Sequence, residues 1–396
     1  MEKTPHPGVF VLVIDKFGDR GVSGSVLQLA RGLRARGYRT PIIALRSSSD
    51  YGRFQPGDEI HTLPPTRLRF SSILRRRHEA RHLARTLRFL APDGDTRRFV
   101  GIVGCLRNAR RALRASRIDH ANVHYSLRCS IRGTLETPRG FWRALRVRNG
   151  YVVNLKGKSV ICISKGIEKE IEDYFIEARR VVTIYNAFDV EHIRALADEP
   201  IPIPATDYII HVGRDEHQKR IDVLLEAFRL VRDPVSLVLV GRHTERLPRL
   251  VAQMGLADRV HLAGFQSNPF PWMRHARLLV LSSDYEGFGN VLVESLICGT
   301  PVVSTDCPCG PSEILTGDLA RGLVPRRNPE AMAVAIRDLL HNPPDVSQAE
   351  ILERVGIDRV CDEYIAACGV TPAGRDAAAI SENSETPDRD TSTERA

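Results

Sequence analysis

The stretch Leu278 to Thr305, LLVLSSDYEGFGNVLVESLICGTPVVST, reads as a buried strand ending at Ser283, a short loop, and a helix that begins near Asn290. Loops at the carboxyl ends of parallel strands are where open α/β sheets bind their ligands. Gly287 and Gly289 remove side chains from this loop, so a phosphate can approach the backbone. Asn290, Val291 and Leu292 then present the unpaired N–H groups of a helix start, at the positive end of its dipole. Glu286 precedes the helix and Glu294 lies in its second turn, so both carboxylates can border one cleft and accept hydrogen bonds from hydroxyl groups.

Upstream, VGRDEHQKRIDVLLEAF sets Arg214 just after another strand end. Lys219 precedes a helix whose Ile221, Leu224, Leu225 and Phe228 face the core. Both cations can reach the same crevice. Fixed cations and helix N–H groups stabilise the charge that grows on a departing diphosphate, and losing either cation is expected to cost roughly 3 kcal/mol of transition-state stabilisation. The same two side chains also suit ordinary surface salt bridges.

Strand-like runs alternate with helical patterns along the whole chain, which predicts an α/β protein with mostly parallel sheets. The first half holds VFVLVI, PIIAL, FVGIVG, NVHYSL, VICIS and VVTIY; the second holds YIIHVG, LVLVG, VHLAGF, LLVLSS and TPVVST. At 396 residues the chain suits two domains. Between the halves three prolines crowd into five residues, Pro200 to Pro204, and forbid a regular ladder. We therefore expect a Rossmann-like domain over residues 1–190, a linker over 191–207, a second Rossmann-like domain over 208–350, and a C-terminal helix over 351–370 packing back toward the first domain. Residues 371–396 have almost no apolar content and are expected to be disordered.

Composition narrows the function. With 42% hydrophobic and 27% charged residues, and no run near the ~20 apolar residues of a span, a membrane-crossing protein is not expected. The N-terminus carries no cleavable signal pattern, and the eight cysteines include no C-x-x-C pair; a cytoplasmic protein with free thiols is expected. Cys307 and Cys309 have no second ligand pair at zinc spacing. The net charge of +9, carried almost wholly by arginine, points to an anionic partner.

The second half resembles a family on several motifs together. IYNAFD, VGR, QKR, EGFGNVLVE and CGTPVVSTDCPCGPSEIL stand in the order and spacing of the retaining nucleotide-sugar glycosyltransferases called group 1 or family four, from about Thr183 to Leu315. This resemblance implies the GT-B fold, two Rossmann-like domains facing an interdomain cleft. It implies a donor held mainly by the second domain: Arg214 and Lys219 on the diphosphate, Glu294 on the ribose, and Glu286 on the transferred sugar. Phe288, Gly289, Asn290 and Val291 would surround sugar and phosphates, while Gly264, Phe265 and Gln266 would border the base. Pro311 and Glu313 look structural. In the first domain the likeness is weaker. Where relatives carry a glycine pair, this chain has Gly21 followed by Val22, with Gly24 further on; Gly21 is the better counterpart. His124, in NVHYSL, stands where many relatives place a histidine facing the donor sugar, with His120 and Ser126 nearby.

The resemblance thus leads us to expect a hexosyltransferase that moves a hexose or N-acetylhexosamine from a UDP-sugar to a glycan or lipid-linked acceptor, in cell-surface polysaccharide or lipopolysaccharide synthesis. Retention rests on the resemblance alone, by front-face substitution with Glu286, His124, Arg214 and Lys219 as the catalytic set. The D-x-D pairs, Asp93 with Asp95 and Asp388 with Asp390, lie in a turn and in the tail, so no metal is expected, and no cofactor beyond the donor.

From Arg67 to Arg88, RLRFSSILRRRHEARHLARTLR holds eight arginines against one glutamate, with Leu83, Ala84 and Leu87 as an apolar strip. Such a helix can lie on anionic lipid, which would put the protein at the inner face of the plasma membrane; it can equally be a solvated face. Nucleic acid is not expected, for want of any reading helix or RNA-binding signature. Two rivals stay open: a nucleotide-sugar isomerase on the same fold, which needs no acceptor, and a non-catalytic membrane-associated scaffold.

Overall fold

The computed structural model describes residues 8–17, 20–46, 56–65, 72–118, 120–136, 141–201 and 207–370. Among the described residues thirteen strands fall into two parallel sheets. The first has β1 (Phe10–Ile14), β2 (Ile42–Ala44), β3 (Ile60–Thr62), β4 (Gly101–Cys105), β5 (Val123–Leu127), β6 (Ser159–Cys162) and β7 (Arg180–Thr183), in the order β3-β2-β1-β4-β5-β6-β7. The second has β8 (Tyr208–Val212), β9 (Ser236–Val240), β10 (Val260–Gly264), β11 (Leu278–Leu281), β12 (Val302–Thr305) and β13 (Leu323–Val324), in the order β10-β9-β8-β11-β12-β13. Central strands such as FVLVI and LLVL are buried along their whole length, because helices cover both faces. Both sheets reverse their winding next to the first strand of the lobe, between β1 and β4 and between β8 and β11. Each lobe thus has one switch-point crevice at its strand C-termini. The edge strands β3 and β13, IHT and LV, were not foreseen; they are too short to carry a periodic pattern.

Two expectations need correcting. Residues 191–197, expected as linker, belong to the Val190–Ala197 helix, whose start is capped by Asp189 accepting from His192 N–H at 3.1 Å. That helix packs against the Phe270–Arg274 and Asn290–Ile297 helices of the second lobe, burying Ile193 and Ala197. Pro202 and Pro204 lie outside the described residues. The second correction concerns the basic segment, of which Ser72–Leu90 is helix and residues 67–71 lie outside the described residues. Leu83, Ala84 and Leu87 sit in the first lobe's core, and the helix packs on the Arg107–Ser116 helix. The apolar strip is therefore spent on folding and is not offered to a lipid surface. The helix leaves exposed Arg76, Arg77, Arg81, Arg85 and Arg88, together with the apolar Leu74 and Phe89 near its two ends.

The Ile357–Ala367 helix returns to the first lobe and packs on the Arg20–Ala35 helix. Its Cys361 and Tyr364 join that lobe's core, Tyr364 edge-on to Phe10 at 6.5 Å, and Arg36 ties down Asp362 at 3.0 Å. Residues 371–396 lie outside the described residues. Among the described residues no helix is long and apolar enough to cross a membrane.

Candidate active site

The second lobe's switch point is lined by the segments after β8 and β11. After β8 the chain turns through a 3-10 helix, His217–Lys219, and Arg220 takes a left-handed conformation before the Ile221–Leu230 helix. After β11 the loop is laced to that turn: Asp284 N–H donates to the Gln218 carbonyl at 2.8 Å, Gln218 Nε2 to the Tyr285 carbonyl at 2.6 Å, and Ser282 Oγ to the Lys219 carbonyl at 2.7 Å. This lacing brings Lys219 Nζ to 2.7 Å from Glu286 Oε1, which also accepts from Ser283 Oγ at 2.6 Å. Both side chains are mostly buried, 19% exposed for Lys219 and 10% for Glu286. Beside them Asp284 is held by Arg327 at 2.9 Å and Arg220 at 3.5 Å, which keep its carboxyl below the usual range against the opposing effect of burial.

The Asn290–Ile297 helix starts next to this pair, with Gly289 left-handed at φ +94° as its cap. Leu292 N–H is already taken by the Gly289 carbonyl at 2.9 Å, so the expected three-donor anion seat narrows to Asn290 and Val291, which have no intrahelical acceptor. Glu294 is half-buried one turn on. Gly287 has a different role from the one expected. A Cβ there would stand 2.3 Å from the carbonyl oxygen of Arg128 in the first lobe, so the missing side chain admits a protein backbone rather than a phosphate. Phe288 likewise packs across the seam, its ring stacked on Tyr185 at 5.1 Å.

The first lobe closes over the site through the loop after β5. Ser130 N–H donates to the Glu286 carbonyl at 3.2 Å, and Ser164 Oγ to the Gly287 carbonyl at 2.8 Å. Buried Arg128 donates from Nη1 to Ser25 Oγ at 2.9 Å and Asn186 Oδ1 at 2.8 Å; Asn186 Nδ2 then reaches Asn290 Oδ1 at 2.7 Å. A polar chain thus runs from the first helix of one lobe to the Asn290–Ile297 helix of the other. Glu313 forms a second tie. Its two oxygens accept from Lys165 N–H at 2.7 Å and Gly166 N–H at 2.8 Å, capping a first-lobe helix with a second-lobe acid, and Tyr185 Oη donates to it at 3.2 Å.

The remaining expected residues are scattered. Arg214 is 58% exposed and pairs with Glu216 at 2.8 Å, apart from the Lys219–Glu286 contact. Gly264 ends β10 in a left-handed conformation, φ +67°. Phe265 is 44% exposed with the Arg242 guanidinium 5.2 Å from its ring, and Gln266 folds back onto the Ala263 carbonyl at 2.6 Å. The Val291 side chain belongs to the core. Gly21 is exposed at a break in the first helix, and a Cβ there would meet nothing within 4 Å, so open space lies in front of it.

His124 is a correction. It is the second residue of β5, beside Ser159 at the start of β6, whereas the crevice lies beyond Leu127 at the other end, roughly 10 Å away at 3.3 Å per residue. Its ring is buried and Nε2 has no hydrogen-bond partner; burial, then Arg180 and Arg179, depress its pKa to about 4. Ser126 is wholly buried. Counting to the strand's carboxyl end would have pointed to Arg128 and Ser130 instead. Asp93 and Asp95 lie in surface turns, paired with Arg98 and Arg97; Asp388 and Asp390 lie outside the described residues.

Two parallel, doubly wound lobes meeting across a crevice at their strand C-termini define the GT-B class. A model of glycosyltransferase family 4 matches residues 20–192, and one of the group 1 glycosyl transferases matches residues 206–342. The chain belongs to the group 1 glycosyltransferases. It is 30% identical over 200 residues to the N-acetylgalactosamine-N,N'-diacetylbacillosaminyl-diphospho-undecaprenol 4-alpha-N-acetylgalactosaminyltransferase of Campylobacter jejuni, covering 49% of this chain and 54% of that protein. It is 33% identical over 154 residues to the lipopolysaccharide core biosynthesis glycosyltransferase LpsE of Rhizobium meliloti, covering 37% and 43%. The chain thus spans about half the length of the curated relatives it matches. Anabaena HepE, solved with UDP-glucose, superimposes with a TM-score of 0.69 at 17% identity over 91% of this chain and 99% of that one; the likeness is one of fold.

Proposed function

We propose that the chain is a retaining glycosyltransferase that moves a hexose or N-acetylhexosamine from a UDP-sugar to a glycan or lipid-linked acceptor in cell-surface polysaccharide or lipopolysaccharide synthesis. The observation that carries this reading is the Lys219–Glu286 pair beside the start of the Asn290–Ile297 helix. As the bond between the anomeric carbon and the diphosphate oxygen breaks, negative charge gathers on the diphosphate. Lys219 is already held in place to receive it, and Glu286, partly shielded from water, accepts from the sugar's hydroxyls. Arg214 gives up little to join them, since an exposed ion pair such as Arg214–Glu216 is worth roughly 0–1 kcal/mol. Phe265 and Arg242 offer the uracil a stacking face.

The acceptor hydroxyl attacks from the face the leaving group vacates, and the departing phosphate takes its proton; no metal is needed for either step. The relatives' names, one with a diphospho-undecaprenol acceptor and one from lipopolysaccharide core synthesis, support the acceptor class. The exposed arginines of the Ser72–Leu90 helix suit work beside an anionic membrane surface. A thermal-shift panel of UDP-, GDP- and ADP-sugars tests the donor. A UDP-sugar at 100 times its dissociation constant adds about 2.7 kcal/mol of stability. A shift with GDP- or ADP-sugars alone would sink the UDP assignment.

A further inference from the structure

One cluster in the first lobe has no part in the donor chemistry. The Arg107–Ser116 helix starts directly after β4, at that lobe's own switch point. Its start is already neutralised: Asp15, at the end of β1, accepts from Ala109 N–H at 2.6 Å, Asn108 N–H at 3.3 Å and Asn108 Nδ2 at 2.8 Å. Beyond that cap, Arg107 and Arg110 line a shallow surface pocket against Gly150, Tyr151 and Asn154 of the Phe141–Leu155 helix. Helical spacing puts Arg107, Arg110 and Arg111 on one face. The guanidinium groups of Arg111 and Arg107 converge over Gly150, within 3.6 and 4.0 Å of where its Cβ would be.

Arg110 is 6% exposed, and its Nη1 has no hydrogen-bond partner. Among the described residues no carboxylate pairs with Arg76, Arg107, Arg110 or Arg111, and the helix RNARRALRAS contains no acid. Asp15 acts on Arg110 only at a distance, with its oxygens engaged by the helix start. Burial together with Arg107, Arg76 and Arg110 pushes the Arg111 pKa down to about 10. A partly dehydrated, unpaired guanidinium cluster is costly by itself and matches the forked geometry of phosphate oxygens. The helix that carries Arg110 follows the crevice end of β4, and beyond the neighbouring strand β5 Ser130 N–H donates to the Glu286 carbonyl at 3.2 Å.

We propose that this pocket binds the phosphoryl group of a phosphorylated acceptor, holding it in the first lobe while the sugar end reaches toward Glu286. The inference rests on the transferase reading above. Calorimetric titration of inorganic pyrophosphate, and separately of inorganic phosphate, into protein saturated with UDP tests it, because UDP fills the donor seat. Wild type takes up one equivalent of pyrophosphate. Arg107→Ala with Arg111→Ala, both outside the core, weakens that uptake at least tenfold and leaves UDP affinity within twofold. Uptake of pyrophosphate alone marks a diphosphate acceptor, and comparable uptake of phosphate marks a monoester. No pyrophosphate binding to the UDP-loaded protein, or equal binding by the double variant, overturns the pocket. Failure of UDP to bind sinks the donor reading instead, and the pyrophosphate comparison between wild type and double variant still reads the pocket.

Discussion

Lys219 Nζ and Glu286 Oε1, 67 residues apart in sequence, meet at 2.7 Å where two loops of the second sheet are laced together. Neither loop could hold its charged side chain in this place without the other. Lys219→Ala removes the fixed cation and leaves a mostly buried carboxylate. Turnover should fall roughly 10²- to 10³-fold, and stability by about 2 kcal/mol, discounted from a fully buried pair because Lys219 is partly exposed. Glu286→Gln keeps the volume and should lose turnover with a smaller stability change. Urea melts beside steady-state rates check both; unchanged turnover in either variant contradicts the proposed roles.

Gly287 stands against the Arg128 carbonyl, with no room for a methyl group at 2.3 Å. Gly287→Ala must push the lobes apart, because the obstacle is backbone and cannot rotate away. We expect a loss of about 1–3 kcal/mol and a clear drop in kcat/KM, read by thermal melts and kinetics. An alanine variant with wild-type stability and activity would show that the lobes do not need this contact.

Glu313 caps the Lys165–Asp173 helix from the other lobe with both oxygens. Glu313→Ala should cost about 1–2 kcal/mol, and Glu313→Gln, which retains one acceptor, less. Neither touches the crevice, so kcat should stay within threefold. A collapse of kcat at unchanged stability would move Glu313 into the chemistry.

His124 yields a pH prediction. Folded, it titrates near 4 because burial and then Arg180 and Arg179 disfavour the charged ring; unfolded, it titrates near 6.5. Between those values the unfolded chain binds more protons, so stability rises with pH through this window and is lost as pH falls toward 4, by about 3 kcal/mol from this residue. His211, also near 4 and buried against the Val280 carbonyl at 2.9 Å, adds to the same slope. His124→Asn should flatten the acid limb of chemical-denaturation curves and keep turnover within threefold. Loss of turnover with an unaltered acid limb would restore a catalytic role.

Much of this was legible in the residues. The alternation of branched strands and amphipathic helices, together with the glycines and acids after LLVLSS, located the two sheets and the loop after β11, because these are local patterns. Long-range relations were not legible. Gly287 is needed for Arg128, and Asn290 is bound by Asn186, across a seam that no local pattern encodes. His124 was expected at the donor sugar from the resemblance, which does not say where the strand stops; it is the second residue of β5, three residues short of the strand's carboxyl end. For the basic segment the residues left a lipid-facing helix and a solvated face open; its apolar strip faces the core instead, which sequence alone does not distinguish from a stripe facing lipid.

If the second lobe's switch-point crevice seats a nucleoside diphosphate through Lys219, calorimetric titration of UDP into wild type and Lys219→Ala is the most direct test. One site is expected in the wild type and at least tenfold weaker binding in the variant, with the fold intact by circular dichroism. Equal UDP affinity in the two proteins, or no UDP binding by the wild type, contradicts this role for Lys219.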